Sequence, residues 1–251
     1  MTRKVLVNDF FEWLLIYNKD YYKECKLIYN SKSEDDPFFD NCLIKQNYTG
    51  GTLTDEGLKN VLMNDIIVSG HFVETGTNLG YLVKELAKYS KLTQSCEISI
   101  WNHCMALYNT KDTKNLELYH LDSEHFLKQI NITDDSVLFL DAHGGNYDDW
   151  NDNPLTKELN VIKEKKIKPI IYIHDFAVEA EETDTDIFTH ETFDKNYKYP
   201  FDYNEKTGWK LDWSFIENQI KEIYNNKYHL SFPYNYPSRW KEAGWIRIEK
   251  K

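Results

Sequence analysis

Basic residues are the first shortage: 30 Lys and Arg stand against 41 Asp and Glu, a formal net charge of −11 in 251 residues. Sequence-independent binding of DNA or RNA runs on phosphate neutralisation, so a nucleic-acid partner is not expected. Long apolar runs are also missing. None approaches a membrane span, and the opening segment MTRKVLVNDFFEWLLIYNKD carries charges inside its apolar stretch, so neither a signal peptide nor a membrane anchor is expected. Cysteine is scarce. Cys25, Cys42, Cys96 and Cys104 lack both CxxC spacing and finger-type histidines. That argues against a structural zinc and for reduced thiols in a cytoplasmic protein. No internal repeat is visible. A core is affordable, since 41% of the residues are hydrophobic and 28% charged.

What is present has a clear order. Residues 1–65 read as a helical extension, with Phe10, Phe11, Trp13, Leu14, Leu15 and Tyr17 on a wide apolar helix face. From residue 66 strands and helices alternate. Strands are expected over Ile66–Glu74, Leu92–Ile98, Leu116–Leu121, Ser136–Leu140 and Pro169–Ile173. Helices are expected over Tyr81–Tyr89, Trp101–Tyr108 and Ser123–Ile130 (capped by Ser123), with another starting at Pro154. A helix over Trp213–Tyr224 and strand-like pieces at Tyr228–Phe232 and Trp245–Glu249 close the chain. Apolar strands alternating with helices predict an α/β fold, a parallel sheet covered on both faces. Residues 66–251 form that domain, and Glu179–Lys210 is long and polar enough to be a lid-like insertion.

In such folds ligands bind at the carboxyl ends of the strands. Glu74, Glu97, Asp122, Asp141, His143, His174 and Asp175 are expected there. The turn Glu74-Thr75-Gly76-Thr77-Asn78-Leu79-Gly80 puts glycines where a ligand could approach the backbone and helix amides could face it. It is neither G-x-G-x-x-G nor a phosphate loop, and Glu74 would repel a pyrophosphate. Glu97, 23 residues on from Glu74, suits a ribose diol. Asp122 suits an adenine amino group, with helix capping by Asp122 or Ser123 the equal alternative. Asp141, His143, His174 and Asp175 converge on one rim. They allow a divalent metal, and equally allow His174, with Asp175 near it, as a general base.

Together Glu74-Thr-Gly-Thr-Asn-Leu-Gly80, Cys96-Glu97, Asp122-Ser123, Phe139-Leu-Asp-Ala-His143 and Ile173-His-Asp175 resemble the class I S-adenosylmethionine-dependent methyltransferases over about residues 66–176. Within them, LDAH, NPLTKEL and HDF resemble the branch of macrocin-type sugar O-methyltransferases and cephalosporin hydroxylase-like proteins. The resemblance implies a Rossmann-like, doubly wound, mostly parallel seven-stranded sheet. It implies cofactor binding by Glu74, Gly76, Thr77, Asn78, Gly80, Glu97, Asp122 and Ser123. Asp141, His143, His174 and Asp175 would be metal ligands (Mg or Mn) or acceptor-site residues; His174 departs from the second acid usual among metal-binding relatives. The expected activity is methylation of a saccharide or small-molecule hydroxyl, with catalysis by His174, Asp175 and Asp141. Two alternatives stand: a metal-dependent hydroxylase or hydrolase on the same fold, and a non-catalytic nucleotide- or partner-binding protein. Homo-oligomerisation is left open.

Overall fold

The computed structural model describes residues 3–32, 56–142, 153–174, 213–231 and 245–251. Two helices open the chain, α1 (Arg3–Tyr17) and α2 (Lys19–Ser31). Asn18 separates them, its side chain accepting from the Asp20 and Tyr21 amides as a helix cap. A third helix, α3 (Glu56–Ser69), leads into strand β1 (His71–Thr75).

Here the expectation is corrected. The apolar run from Ile66 is helical at first, and the strand begins only at His71. Gly70 at φ +76° ends the helix, donating its amide to Ile66 O at 2.7 Å. Ile66 is buried while Val68 is 89% exposed, a helical rather than strand burial pattern.

Then follow α4 (Tyr81–Leu86), β2 (Leu92–Cys96), α5 (Ile100–Thr110), β3 (Leu116–Tyr119) and α6 (Ser123–Gln129). After them come β4 (Val137–Leu140), α7 (Pro154–Lys165) and β5 (Ile170–His174). The chain ends with α8 (Trp213–Tyr224), β6 (Tyr228–Ser231) and β7 (Trp245–Lys250). Asn153 caps α7 ahead of Pro154 at the first helical position, as that proline predicts.

The seven strands form one sheet in the order β3-β2-β1-β4-β5-β7-β6. The first five are parallel, and β7 runs antiparallel to β5 and β6. This is the expected Rossmann-like, doubly wound architecture. The order reverses between β1 and β4, which opens the crevice where such sheets bind ligands.

Leu58, Leu62 and Ile66 of α3, with Val83 and Leu86 of α4, pack on one face, against Phe72, Phe139 and Tyr172. α6, α7 and α8 bury their apolar residues on the other, against Val73, Leu138, Leu140 and Ile171. The N-terminal hairpin packs elsewhere: Phe10, Phe11, Leu14 and Cys25 close on Trp101, Cys104 and Met105 of α5 and on Leu79 of the glycine turn. Among the described residues no helix is long and apolar enough to cross a membrane.

Candidate functional site

Strand register decides which side chains share the rim. Glu74 pairs with Ser95 on β2 and Phe139 on β4, and Phe139 with Tyr172 on β5. Side chains alternate along a strand, so stepping two residues beyond each places Glu97, Asp141 and His174 on the same face as Glu74. The sheet therefore brings Glu74, Glu97, Asp141 and His174 together at the carboxyl edge, across the β1/β4 reversal. Thr75 ties β1 to the β4 end: its carbonyl and its hydroxyl both accept from the Asp141 amide at 3.2 Å.

Packing and internal hydrogen bonds set the glycine turn. Gly76, Asn78 and Gly80 all have positive φ, +84°, +51° and +78°. A Cβ on Gly76 would lie 2.6 Å from Asp141 O, so this glycine is required by the β4 backbone. A Cβ on Gly80 would lie 3.0 Å from Ala106 Cβ on α5, a helix-packing requirement. The turn's amides are also engaged. Gly76 and Thr77 donate to Cys96 O, Asn78 donates to Glu97 Oε2, and Gly80 donates to Thr77 O. These four turn amides are therefore spent within the fold.

Glu97 is buried, with Oε2 accepting from Asn78 N and Oε1 from Ser99 N, each at 2.8 Å. Burial raises its carboxyl above the usual range, and the Ser99 and Asn78 amides pull the other way. The Ile98 amide bonds this carboxyl as well, and of its roughly four acceptor sites one remains for a ligand hydroxyl. Beside it Ile98 is 72% exposed, an apolar surface that the sequence reading passed over. Its signal was position alone, one residue beyond the acid that ends the second strand.

Asp122, not Ser123, caps α6: Asp122 Oδ1 accepts from the His125 amide at 2.9 Å, while Ser123 is buried as the first helical residue. The Asp122 carboxylate also lies 2.7 Å from His125 Nδ1. Burial alone would raise the Asp122 carboxyl, but the His125 amide and ring outweigh it and hold it below the usual range.

At the other end of the rim His174 Nδ1 lies 3.0 Å from Asp141 Oδ1, both side chains partly buried, and the imidazole sits 5.5 Å from the Phe139 ring. A carboxylate only accepts, so Nδ1 carries the hydrogen and Nε2 is the basic nitrogen. The expected partner of His174 was Asp175, which lies outside the described residues along with His143; the partner found is Asp141. Among the described residues no group of three or more His, Cys, Asp or Glu is placed to hold a metal ion. Asp141 and His174 are bonded to each other, which fits a carboxylate–imidazole dyad.

Three further histidines are engaged within the fold. His71 bridges Ser136 and Gln94, and His103 stacks on His120 at 5.3 Å. Of the C-terminal aromatics, Trp245 is buried and packs on Tyr172, and the partly buried Tyr228 lies beside Trp213. Phe232, Tyr234, Tyr236 and Trp240, like the lid-like segment 179–210, lie outside the described residues.

No protein-family model and no curated protein matches the chain. Solved structures do. The fold is similar to magnesium protoporphyrin IX methyltransferase from Synechocystis with bound SAM: TM-score 0.48, 11% identity, covering 100% of this chain and 98% of that one. It is similar to an rRNA methylase from Streptococcus thermophilus, with TM-score 0.47, 10% identity, and 77% and 94% covered. It is also similar to the N-methyltransferase NodS from Bradyrhizobium japonicum, with TM-score 0.45, 11% identity, and 76% and 93% covered. The likeness is of fold alone. The fold assignment of this chain rests on its own sheet order.

Proposed function

We propose that this chain is an S-adenosylmethionine-dependent methyltransferase acting on a hydroxyl of a saccharide or another small molecule. The observation that carries the reading is the Asp141–His174 dyad beside an acid-lined turn at the sheet reversal. The donor set fits the cofactor. Glu97 accepts from a ribose hydroxyl, Ile98 offers an apolar face to a base, and Asp122 accepts from an amino group. Carboxylates suit a cationic ligand, whereas a turn whose Gly76, Thr77, Asn78 and Gly80 amides are internally bonded does not suit a pyrophosphate.

S-adenosylmethionine supplies an electrophilic methyl group on a sulfonium. The chain's own part is to orient the acceptor and receive its proton. Asp141 holds the tautomer that leaves His174 Nε2 basic, and Nε2 takes the hydroxyl proton as the methyl group moves. Acid on the rim and the −11 net charge favour a neutral or cationic acceptor over a polyanion. The buried free thiols Cys25, Cys96 and Cys104 accord with a reducing compartment.

The test has two parts. Calorimetry should show S-adenosylhomocysteine binding to the wild type, and no binding would end the proposal. His174→Ala should lower methyl transfer to hydroxyl acceptors by about 10²–10⁴-fold, with cofactor affinity changed by less than about threefold. Transfer to nucleic acid at physiological salt, with none to any small hydroxyl compound, would overturn the acceptor class.

A further inference from the structure

Glu74 belongs to the rim, but the chemistry above gives it no task. It is 2% exposed, and Ser95 Oγ donates to its Oε2 at 2.7 Å. Ser95 Oγ lies in turn 2.6 Å from Thr77 Oγ1, and both hydroxyl residues are buried. The titratable groups on the Glu74 face are Glu97 beyond β2, Asp141 beyond β4 and His174 on β5, two strands away; the Cys96 thiol of β2 packs on the opposite face. Among the described residues no lysine or arginine pairs with Glu74. Two buried carboxyls, Glu74 and Glu97, thus lie on one face with the partly buried Asp141 and with one imidazole already matched to it. Carboxylates so placed stay ionised together only while a cation sits among them.

Resting on the methyltransferase reading, we propose that Glu74 compensates the charge lost in methyl transfer: it is ionised in the complex with the sulfonium donor and carries a proton in the complex with the thioether product. The S–CH3 bond breaks with its electron pair left on sulfur, an O–CH3 bond forms, and the hydroxyl proton passes to His174 Nε2, which then releases it. The ligand loses one positive charge, and the proton released by the imidazole is matched by one taken up at the Glu74 carboxylate, so proton number and charge are both conserved.

The hydroxyl chain accommodates both states without moving a heavy atom. With Glu74 ionised, Thr77 donates to Ser95 and Ser95 to Glu74. With Glu74 protonated the direction reverses, and the Thr77 hydrogen turns outward. The direction of titration agrees: burial pushes the Glu74 carboxyl well above the usual range, Ser95 opposes this, and Asp141 and Glu97 add to the rise.

The experiment is calorimetry of the wild type with S-adenosylmethionine and with S-adenosylhomocysteine, in buffers of differing ionisation enthalpy. The homocysteine complex should hold about one proton more, so its affinity relative to the sulfonium ligand should fall about tenfold per pH unit as pH rises. Glu74→Gln keeps an acceptor for Ser95 and should abolish the difference. Equal proton numbers for the two ligands in the wild type would overturn the proposal, without need of the variant, as would a difference that survives in Glu74→Gln. Failure of both ligands to bind is a separate result, and it overturns the methyltransferase reading itself.

Discussion

Replacing Gly76 with alanine separates two explanations of the glycine turn. If the glycine serves only a ligand, alanine should weaken binding and leave the fold intact. The structure requires a different outcome. At φ +84° a Cβ meets Asp141 O at 2.6 Å, Asp141 C at 3.0 Å and Ala142 Cα at 3.1 Å, all of them backbone atoms. The left-handed conformation costs alanine about 1–2 kcal/mol, and overpacking against atoms that cannot rotate away adds about 1–3 kcal/mol. The narrower unfolded ensemble of alanine returns about 0.4–1 kcal/mol. The net loss is about 2–4 kcal/mol. Urea denaturation of the ligand-free protein measures it, with an unchanged denaturant slope as the sign that the unfolded state is the same. Because the atom displaced is the backbone of Asp141, the same variant should disturb the Asp141–His174 pair and lower methyl transfer further. A Gly76→Ala protein as stable as wild type, defective only in binding, would refute the argument.

Arg247 on β7 holds Asp65 of α3 through two bonds, 2.6 and 3.1 Å, and Tyr172 donates to the same carboxylate at 2.5 Å. Arg247→Ala leaves that carboxylate uncompensated and should cost about 3–5 kcal/mol in urea denaturation; a loss under about 1 kcal/mol would show that the pair does not hold α3 to the sheet. His103 is buried and stacked on His120, and burial with that neighbour lowers its pKa from 6.5 to about 4. Its folded value lies below its unfolded value, so its contribution is intact above pH 6.5 and is lost as pH falls towards 4, about 3 kcal/mol in all. Stability measured across that range should fall less steeply for His103→Gln; parallel curves would remove His103 from the account. Glu97→Ala removes the acceptor of the Asn78 and Ser99 amides and should weaken S-adenosylhomocysteine binding by about 1–3 kcal/mol, with some loss of stability; unchanged affinity by calorimetry would take Glu97 out of the site.

Most of the architecture was legible in the chain because it rests on local pattern. Apolar runs ending in acids and bounded by glycine, asparagine or proline mark β2, β4 and β5, and Pro154 marks α7. Trp213–Tyr224 was read at its observed boundaries. Local pattern misled where one apolar run served two elements: Ile66-Ile67-Val68 continues visually into His71-Phe72-Val73, and only the left-handed Gly70 divides helix from strand. The acids of the rim could also be named, since strand ends are visible in sequence.

Which of those groups meet is a tertiary matter. His174 bonds Asp141, 33 residues earlier, because β4 and β5 are neighbours in register. Arg247 reaches Asp65 across 182 residues because β7 inserts beside β5. Gly76 is glycine because another strand's backbone lies against it, and Glu74 sits in a dry corner because a helix layer covers each face of the sheet. Composition and periodicity set where strands end, since burial and turn chemistry act over a few residues. Sheet order sets the distances between strand ends, and those distances decide which acid pairs with the histidine, which caps a helix and which is left to titrate.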